Sequence, residues 1–169
     1  MPTIRAVQPD DEPLLWNMLW EAAAVAPAMR AIGREAALAR PESRKYLDGW
    51  GRPGDAGVVA VDETDQRLGA AWYRRFPVDA PGYGFVAPDI PELAIGVIPG
   101  ARGRGIGTAL LDALVRHARA NGERALSLSV DRQNPALALY ERNGFRDAGI
   151  SNADDSSLTM IVVFANAAT

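Results

Sequence analysis

The 169-residue sequence has no cysteine, one histidine (His117) and one lysine (Lys45). Without cysteine there are no disulfides, no thiolate zinc sites, no CxxC redox pairs and no acyl-cysteine intermediate. One histidine excludes a multi-histidine metal cage and leaves a single candidate base for a Ser/His/Asp triad. No apolar run approaches the ~20 residues that cross a bilayer. The N-terminus, Met1-Pro2-Thr3-Ile4-Arg5, lacks the apolar stretch of a signal peptide, so a cytoplasmic location with no membrane partner is expected. Positive charge is also short, at 18 Lys and Arg against 21 Asp and Glu, for a net charge of -3. Duplex-binding surfaces need many clustered cations, so no nucleic-acid partner is expected. The preference for arginine over lysine follows from codon composition and carries no functional reading.

What is present is the material of a folded domain: 48% hydrophobic and 23% charged residues. The length fits one domain over residues 1–169. Thr3 to Val7 reads as a first strand. Asp10-Asp11-Glu12-Pro13 opens a helix running to about Val25, with Trp16, Leu19 and Trp20 on one face as core or as a substrate wall. A second helical stretch is expected over about Arg34–Leu47, broken near Pro41. Strands follow at Val58–Val61 and Leu68–Arg74, joined by a turn at Thr64-Asp65-Gln66. Phe76–Pro91 is rich in glycine and proline and reads as a lid or a binding wall. Within it, Gly82 to Phe85 is either a turn with packed aromatics or a substrate contact. No repeat or low-complexity tract is present.

The second half carries the chemistry. Leu93–Ile98 is an almost wholly apolar strand closed by Pro99-Gly100. Arg102-Gly103-Arg104-Gly105-Ile106-Gly107 follows, and then a helix from Thr108 to about Ala120. A strand, a glycine loop and a helix N-terminus together make an anion site, because glycine lets backbone approach the ligand and the helix end presents free N–H groups. Counting separates the possible phosphate ligands. Gly100 and Gly105 have Walker A spacing, but Ile106 stands where its lysine must be. In the dinucleotide fingerprint that begins at Gly103 and Gly105, the third glycine would fall on Thr108.

Arg102, Gly105 and Gly107 do form Arg-x-x-Gly-x-Gly directly after Val97-Ile98-Pro99, which resembles the acyl-CoA signature of the GNAT N-acetyltransferase family. About 30 residues on, after a strand at Leu126–Val130, Asn134 to Phe145 is similar to that family's Asn-x-x-Ala-x-x-Leu-Tyr-x-x-x-Gly-Phe segment, one residue shorter between the asparagine and the alanine. The resemblance covers about Glu92–Phe145; the front half shares only the order of elements. It implies an α/β (α+β) fold in which a mixed, mostly antiparallel sheet of about six to seven strands carries helices on both faces, with Leu158–Phe164 as its last strand. It also implies a splayed strand pair for acyl-CoA, with acetyl-CoA as cosubstrate and no metal. Val97 and Ile98 would meet the pantetheine arm, and Arg102, Gly103, Arg104, Gly105, Ile106, Gly107 and Thr108 the pyrophosphate. Asn134, Ala136, Tyr140 and Asn143 would complete the cofactor site. Asn134-Pro135 and Gly144 also make good helix caps, and Tyr140 could equally be a core tyrosine.

Amine acylation needs a proton acceptor, because alkyl ammonium groups titrate near 10. Glu92 is the first choice, with Asp89 and Glu63 as substitutes. Tyr140 is placed to protonate the leaving thiolate, and the N–H of Ile98 or a neighbour to meet the oxyanion. His117 reads as packed and is not the base. The acceptor is a small-molecule amine, a protein N-terminus or a lysine, and a homodimer is the assembly kept open. Trp16, Trp20, Trp50, Trp72, Tyr83 and Phe85 point to an acceptor with an apolar or planar body. A non-catalytic acyl-CoA sensor and an unrelated anion-binding domain remain as alternatives.

Overall fold

The structure is a computed structural model that describes residues 2–165. Seven strands form one sheet in the order β1-β2-β3-β4-β5-β7-β6. They are β1 (Thr3–Ala6), β2 (Ala56–Val61), β3 (Arg67–Arg74), β4 (Glu92–Val97), β5 (Ala125–Asp131), β6 (Arg146–Asp147) and β7 (Ser157–Val163). Every neighbouring pair is antiparallel except β4 and β5. The helices are α1 (Glu12–Ala23), α2 (Pro27–Ile32), α3 (Arg34–Ala39), α4 (Pro41–Arg44), α5 (Ile106–Ala120) and α6 (Ala136–Arg142).

The sheet is buried on both faces, and the two-residue period of its strands sorts side chains between two cores. Val58, Ala60, Ala71 and Tyr73 pack with Leu110, Leu111 and Leu114 of α5. Val59, Val61, Ala70 and Trp72 face the other way, onto Leu15, Met18 and Leu19 of α1. Of the expected stripe Trp16, Leu19 and Trp20, Leu19 is buried in this core and the half-buried Trp16 packs against it, while Trp20 is also half-buried.

The front half departs from the sequence reading. Helix α2 is an addition: Pro27 lies in its first turn, where a missing N–H costs nothing, and Gly33 at φ +87° ends it. The break expected near Pro41 in the Arg34–Leu47 stretch is present, at Arg40, whose extended backbone separates α3 from α4; the helical part ends at Arg44. Further on, α5 starts at Ile106 rather than Thr108, because Gly105, at φ +79°, is itself the N-cap. The two-residue β6 was also not anticipated.

Two features of β4 position the site. Helix α1 crosses directly over Gly96, where a Cβ would lie 2.5 Å from the Met18 carbonyl oxygen. The parallel pairing of β4 with β5 consists of one bridge, Glu92 with Ser127, after which the strands part. The Ile98 N–H donates to Leu68 of β3 (2.9 Å). By antiparallel alternation, the N–H groups of Gly96 and Ala94 also face β3, whereas those of Ile95 and Val97 face the gap.

Gly96→Ala is expected to force α1 off the sheet and to destabilise the fold by roughly 1–3 kcal/mol, as overpacking does. Urea unfolding of the variant against the parent measures this.

Candidate active site

Glu92 is the first residue of β4 and stands at the vertex where β4 and β5 part. The residue is 3% exposed. It accepts hydrogen bonds from the Tyr46 hydroxyl and from the Gly84 N–H, the latter at 3.0 Å. Burial pushes this carboxyl up to about 7, and the bonds from Tyr46 and Gly84, with the nearby Lys45 charge, limit the rise. Burial and the Glu92 charge likewise push the Tyr46 hydroxyl well above the usual tyrosine range. That hydroxyl therefore stays protonated and acts as a donor to the carboxylate, while accepting the Tyr83 N–H at 2.9 Å.

The surroundings hold Tyr46 in place. Arg74, fully buried, donates to Asp55 at 2.7 and 3.0 Å and to the carbonyls of Lys45 at 3.1 Å and Asp48 at 2.7 Å. The Tyr46 carbonyl accepts the Trp72 indole N–H at 3.3 Å, and its ring meets Phe76 edge-on at 5.1 Å. The Phe76–Pro91 loop is pinned to the same vertex. Lys45 donates to the Pro81 carbonyl at 2.6 Å, and the Ser127 hydroxyl donates to the Gly84 carbonyl at 2.7 Å. Gly84 lies so close to β5 that a Cβ there would be 2.6 Å from the Ser129 nitrogen. The loop is therefore a fixed wall rather than a lid.

From this vertex a cleft of about 760 Å³ runs between the parted strands to the N-terminus of α5. There Gly103 and Gly105 adopt φ near +78° and +79°, with no atom within 4 Å of a Cβ at either position. None of the backbone N–H groups from Gly103 through Thr108 has an acceptor among the described residues. A run of unsatisfied amides at a helix N-terminus, with space where Cβ atoms would stand, fits a diphosphate. Along the side wall lies Tyr140 of α6, 6% exposed, its ring edge-on to Phe145 at 6.0 Å. Burial pushes the Tyr140 hydroxyl up, and it makes no hydrogen bond to the described residues.

Residues 16–145 match the family model described as the acetyltransferase (GNAT) family. The chain belongs to that family. Among curated proteins it is 37% identical over 106 residues to the mycothiol acetyltransferase of Paenarthrobacter aurescens, covering 62% of this chain and 31% of that protein. The chain thus spans about a third of the length of the relative it matches. The solved ribosomal-protein-alanine N-acetyltransferase of Brucella melitensis is 27% identical, with a TM-score of 0.66 over 96% of this chain and 99% of that one. The PaiA N-acetyltransferase of Thermoplasma acidophilum, solved in complex with coenzyme A, is 18% identical. It superposes with a TM-score of 0.65 over 97% of this chain and 99% of that one, a likeness of fold.

Of the residues that the GNAT resemblance nominated, Glu92, Val97, Arg102, Gly103, Gly105, Ile106, Gly107, Thr108, Asn134, Ala136 and Tyr140 all line this one cleft. Three do not. The Ile98 N–H is taken by Leu68, which leaves Ile95 and Val97 to offer free amides. The Arg104 side chain folds back onto the Gly100 carbonyl at 2.9 Å and lines a separate hollow beside Asp62 and Glu63. Asn143 donates to the Leu139 carbonyl at 2.8 Å, as a helix cap does. Asn134 also caps, accepting the Ala136 N–H at 2.9 Å, while lining the cleft. Arg102 donates to Glu21 of α1 at 2.8 Å and to the Val97 carbonyl at 3.3 Å, so it bridges the cleft mouth.

The substitute bases lie elsewhere. Asp89 is held low by its surface hydrogen bonds with Arg124, at 2.5 and 3.0 Å, and Glu63 is exposed in the β2–β3 turn. His117 is half-buried, its ring 6.4 Å from that of Tyr73, and is not among the cleft residues. Of the aromatics that pointed to an apolar or planar acceptor, Tyr83 lines the cleft. Trp72 is core, Trp50 lies 5.6 Å beneath the Arg74 guanidinium, and none of Trp16, Trp20, Trp50, Trp72 and Phe85 lines it. Tyr46, which sequence reasoning passed over, does line it.

A carboxyl-carbon NMR titration of Glu92 is expected to show a midpoint near 7. The Tyr46 bond favours the ionised form, so in Tyr46→Phe the midpoint is expected to move upward. A Tyr46→Phe midpoint at or below the parent's would contradict the pairing.

Proposed function

We propose that this GNAT family member transfers an acetyl group from acetyl-CoA to a primary amine by direct attack within a ternary complex. The observation that carries the reading is one cleft with a buried, weakly acidic carboxylate at its closed end and unsatisfied backbone amides along its length. The loop from Gly103 to Thr108 would hold the pyrophosphate, and the β4 edge at Ile95 and Val97 the pantetheine arm. When bound, acetyl-CoA supplies the thioester carbon that the amine attacks.

The chain's own groups then have separable tasks. Glu92, with an affinity for protons suited to neutral pH, takes the proton that the amine must lose. A free N–H on β4, at Ile95 or Val97, donates to the carbonyl oxygen as negative charge develops there. The new C–N bond forms as the C–S bond breaks, and the departing thiolate takes a proton from Tyr140, which water re-protonates while Glu92 releases the amine's proton to solvent. The Tyr140 hydroxyl, held protonated by burial, is unengaged by other side chains. With no cysteine in the chain to carry the acyl group, an acyl-enzyme is not needed.

Steady-state acetyl transfer over an amine panel tests the proposal, and double-reciprocal plots are expected to intersect. Glu92→Gln is expected to lower turnover by about 100-fold near neutral pH while acetyl-CoA affinity, read by calorimetry, is kept. Because the base must be ionised, parent kcat/KM is expected to rise with pH through about 7 and then level off. Tyr140→Phe is expected to reduce turnover roughly 10–1,000-fold with little change in melting temperature. A fully active phenylalanine variant would mean that Tyr140 only packs.

A further inference from the structure

The strap from Arg40 to Leu47 sets three polar side chains in a row. The Ser43 N–H bonds to the Arg40 carbonyl (3.0 Å) and the Tyr46 N–H to the Ser43 carbonyl (3.2 Å), a helical spacing that puts Arg40, Ser43 and Tyr46 on one face. All three line the cleft. Tyr46 is engaged with Glu92, but the other two lack comparable partners. Ser43 is 9% exposed, and its hydroxyl makes no hydrogen bond to the described residues. Arg40 donates through Nη1 only to the Met29 thioether (2.9 Å), a weak acceptor. Its Nε stands 3.6 Å from the half-exposed Glu42 carboxylate, and Nη2 has no partner among the described residues. The cleft's Glu21, by contrast, is already paired with Arg102.

We propose that Arg40 and Ser43 form an anion subsite for the acceptor, and that the acceptor is an amine carrying a carboxylate several bonds from its nitrogen. The proposal rests on the reading of Glu92 as the base, since that carboxylate marks where the amine must lie. Side chains leaving one helical face six residues apart keep their ends on the order of 10 Å from each other. An α-amino acid is too short to join them; an ω-amino carboxylate reaches. A carboxylate matches the guanidinium fork in a way that a neutral acceptor cannot, and the Ser43 hydroxyl adds a donor beside it.

Matched probes test this: 4-aminobutyrate and 5-aminovalerate, each against its primary amide, together with glycine, at saturating acetyl-CoA. The parent is expected to prefer carboxylate over amide in kcat/KM by about 10- to 100-fold, the range of a charge-assisted pair. The ratio is expected to fall towards one in Arg40→Gln, to stay intermediate in Arg40→Lys, and to drop several-fold in Ser43→Ala. Arg116→Gln, on the exposed side of α5, should leave it unchanged. Equal use of amides by the parent, or a ratio preserved in Arg40→Gln, overturns the subsite, and faster transfer to glycine overturns the length argument. Calorimetry of the same pairs on CoA-saturated protein makes the comparison without turnover. Carboxylate-selective binding with no transfer would uphold the subsite and reject the proposed reaction.

Discussion

A backbone amide that no neighbouring strand pairs must bind water or a ligand, and between β4 and β5 the described residues leave a row of them unpaired. The two strands join through a single parallel bridge at Glu92 and Ser127 and then part. Beyond it the outward amides of Ile95 and Val97 face an open gap, and at the far end the amides from Gly103 to Thr108 are equally without partners. Both sets are open to something extended and rich in acceptors lying between them. The rest of the architecture keeps that gap open. Helix α1 rests on Gly96 on one face, α5 packs the other, and the Gly84 loop is wedged against the middle of β5.

The bridge is also where structure and proposed chemistry meet. Glu92 accepts from the Tyr46 hydroxyl and the Gly84 amide, and so ties the α4 strap and the Phe76–Pro91 loop to the sheet. The same burial that makes those bonds necessary raises its proton affinity into the range where a base is useful at neutral pH. Arg74 supports this from a distance. By holding the carbonyls on either side of Tyr46, it fixes the tyrosine that in turn fixes the carboxylate.

The glycine loop was legible in the sequence because Gly103, Gly105 and Gly107 with Arg102 form a spacing that few other demands would produce. The splayed strand pair and the last strand at Leu158–Phe164 followed from the resemblance it carries. The front half was less legible. A helix of six residues such as α2 carries too little periodicity to announce itself. Four tryptophans pointed to an aromatic pocket, yet Trp72 and Trp50 serve the core and the Arg74 site instead. Tyr46 is a lone tyrosine in a weakly patterned stretch, and only the fold brings it across 46 positions to Glu92. Which amides of β4 face the gap could not be read from sequence, because it depends on register. One residue of slip would have exchanged Ile98 for Val97.

The composition has one more consequence. Lys45 is the chain's sole lysine, and its ammonium group is spent on the Pro81 carbonyl, where it straps the Phe76–Pro91 loop to the turn that carries Tyr46. Amine-directed reagents therefore meet one side-chain target. A fluorophore or cross-linker attached there would report on the contact between the Phe76–Pro91 loop and the segment that carries Tyr46 without any engineered residue.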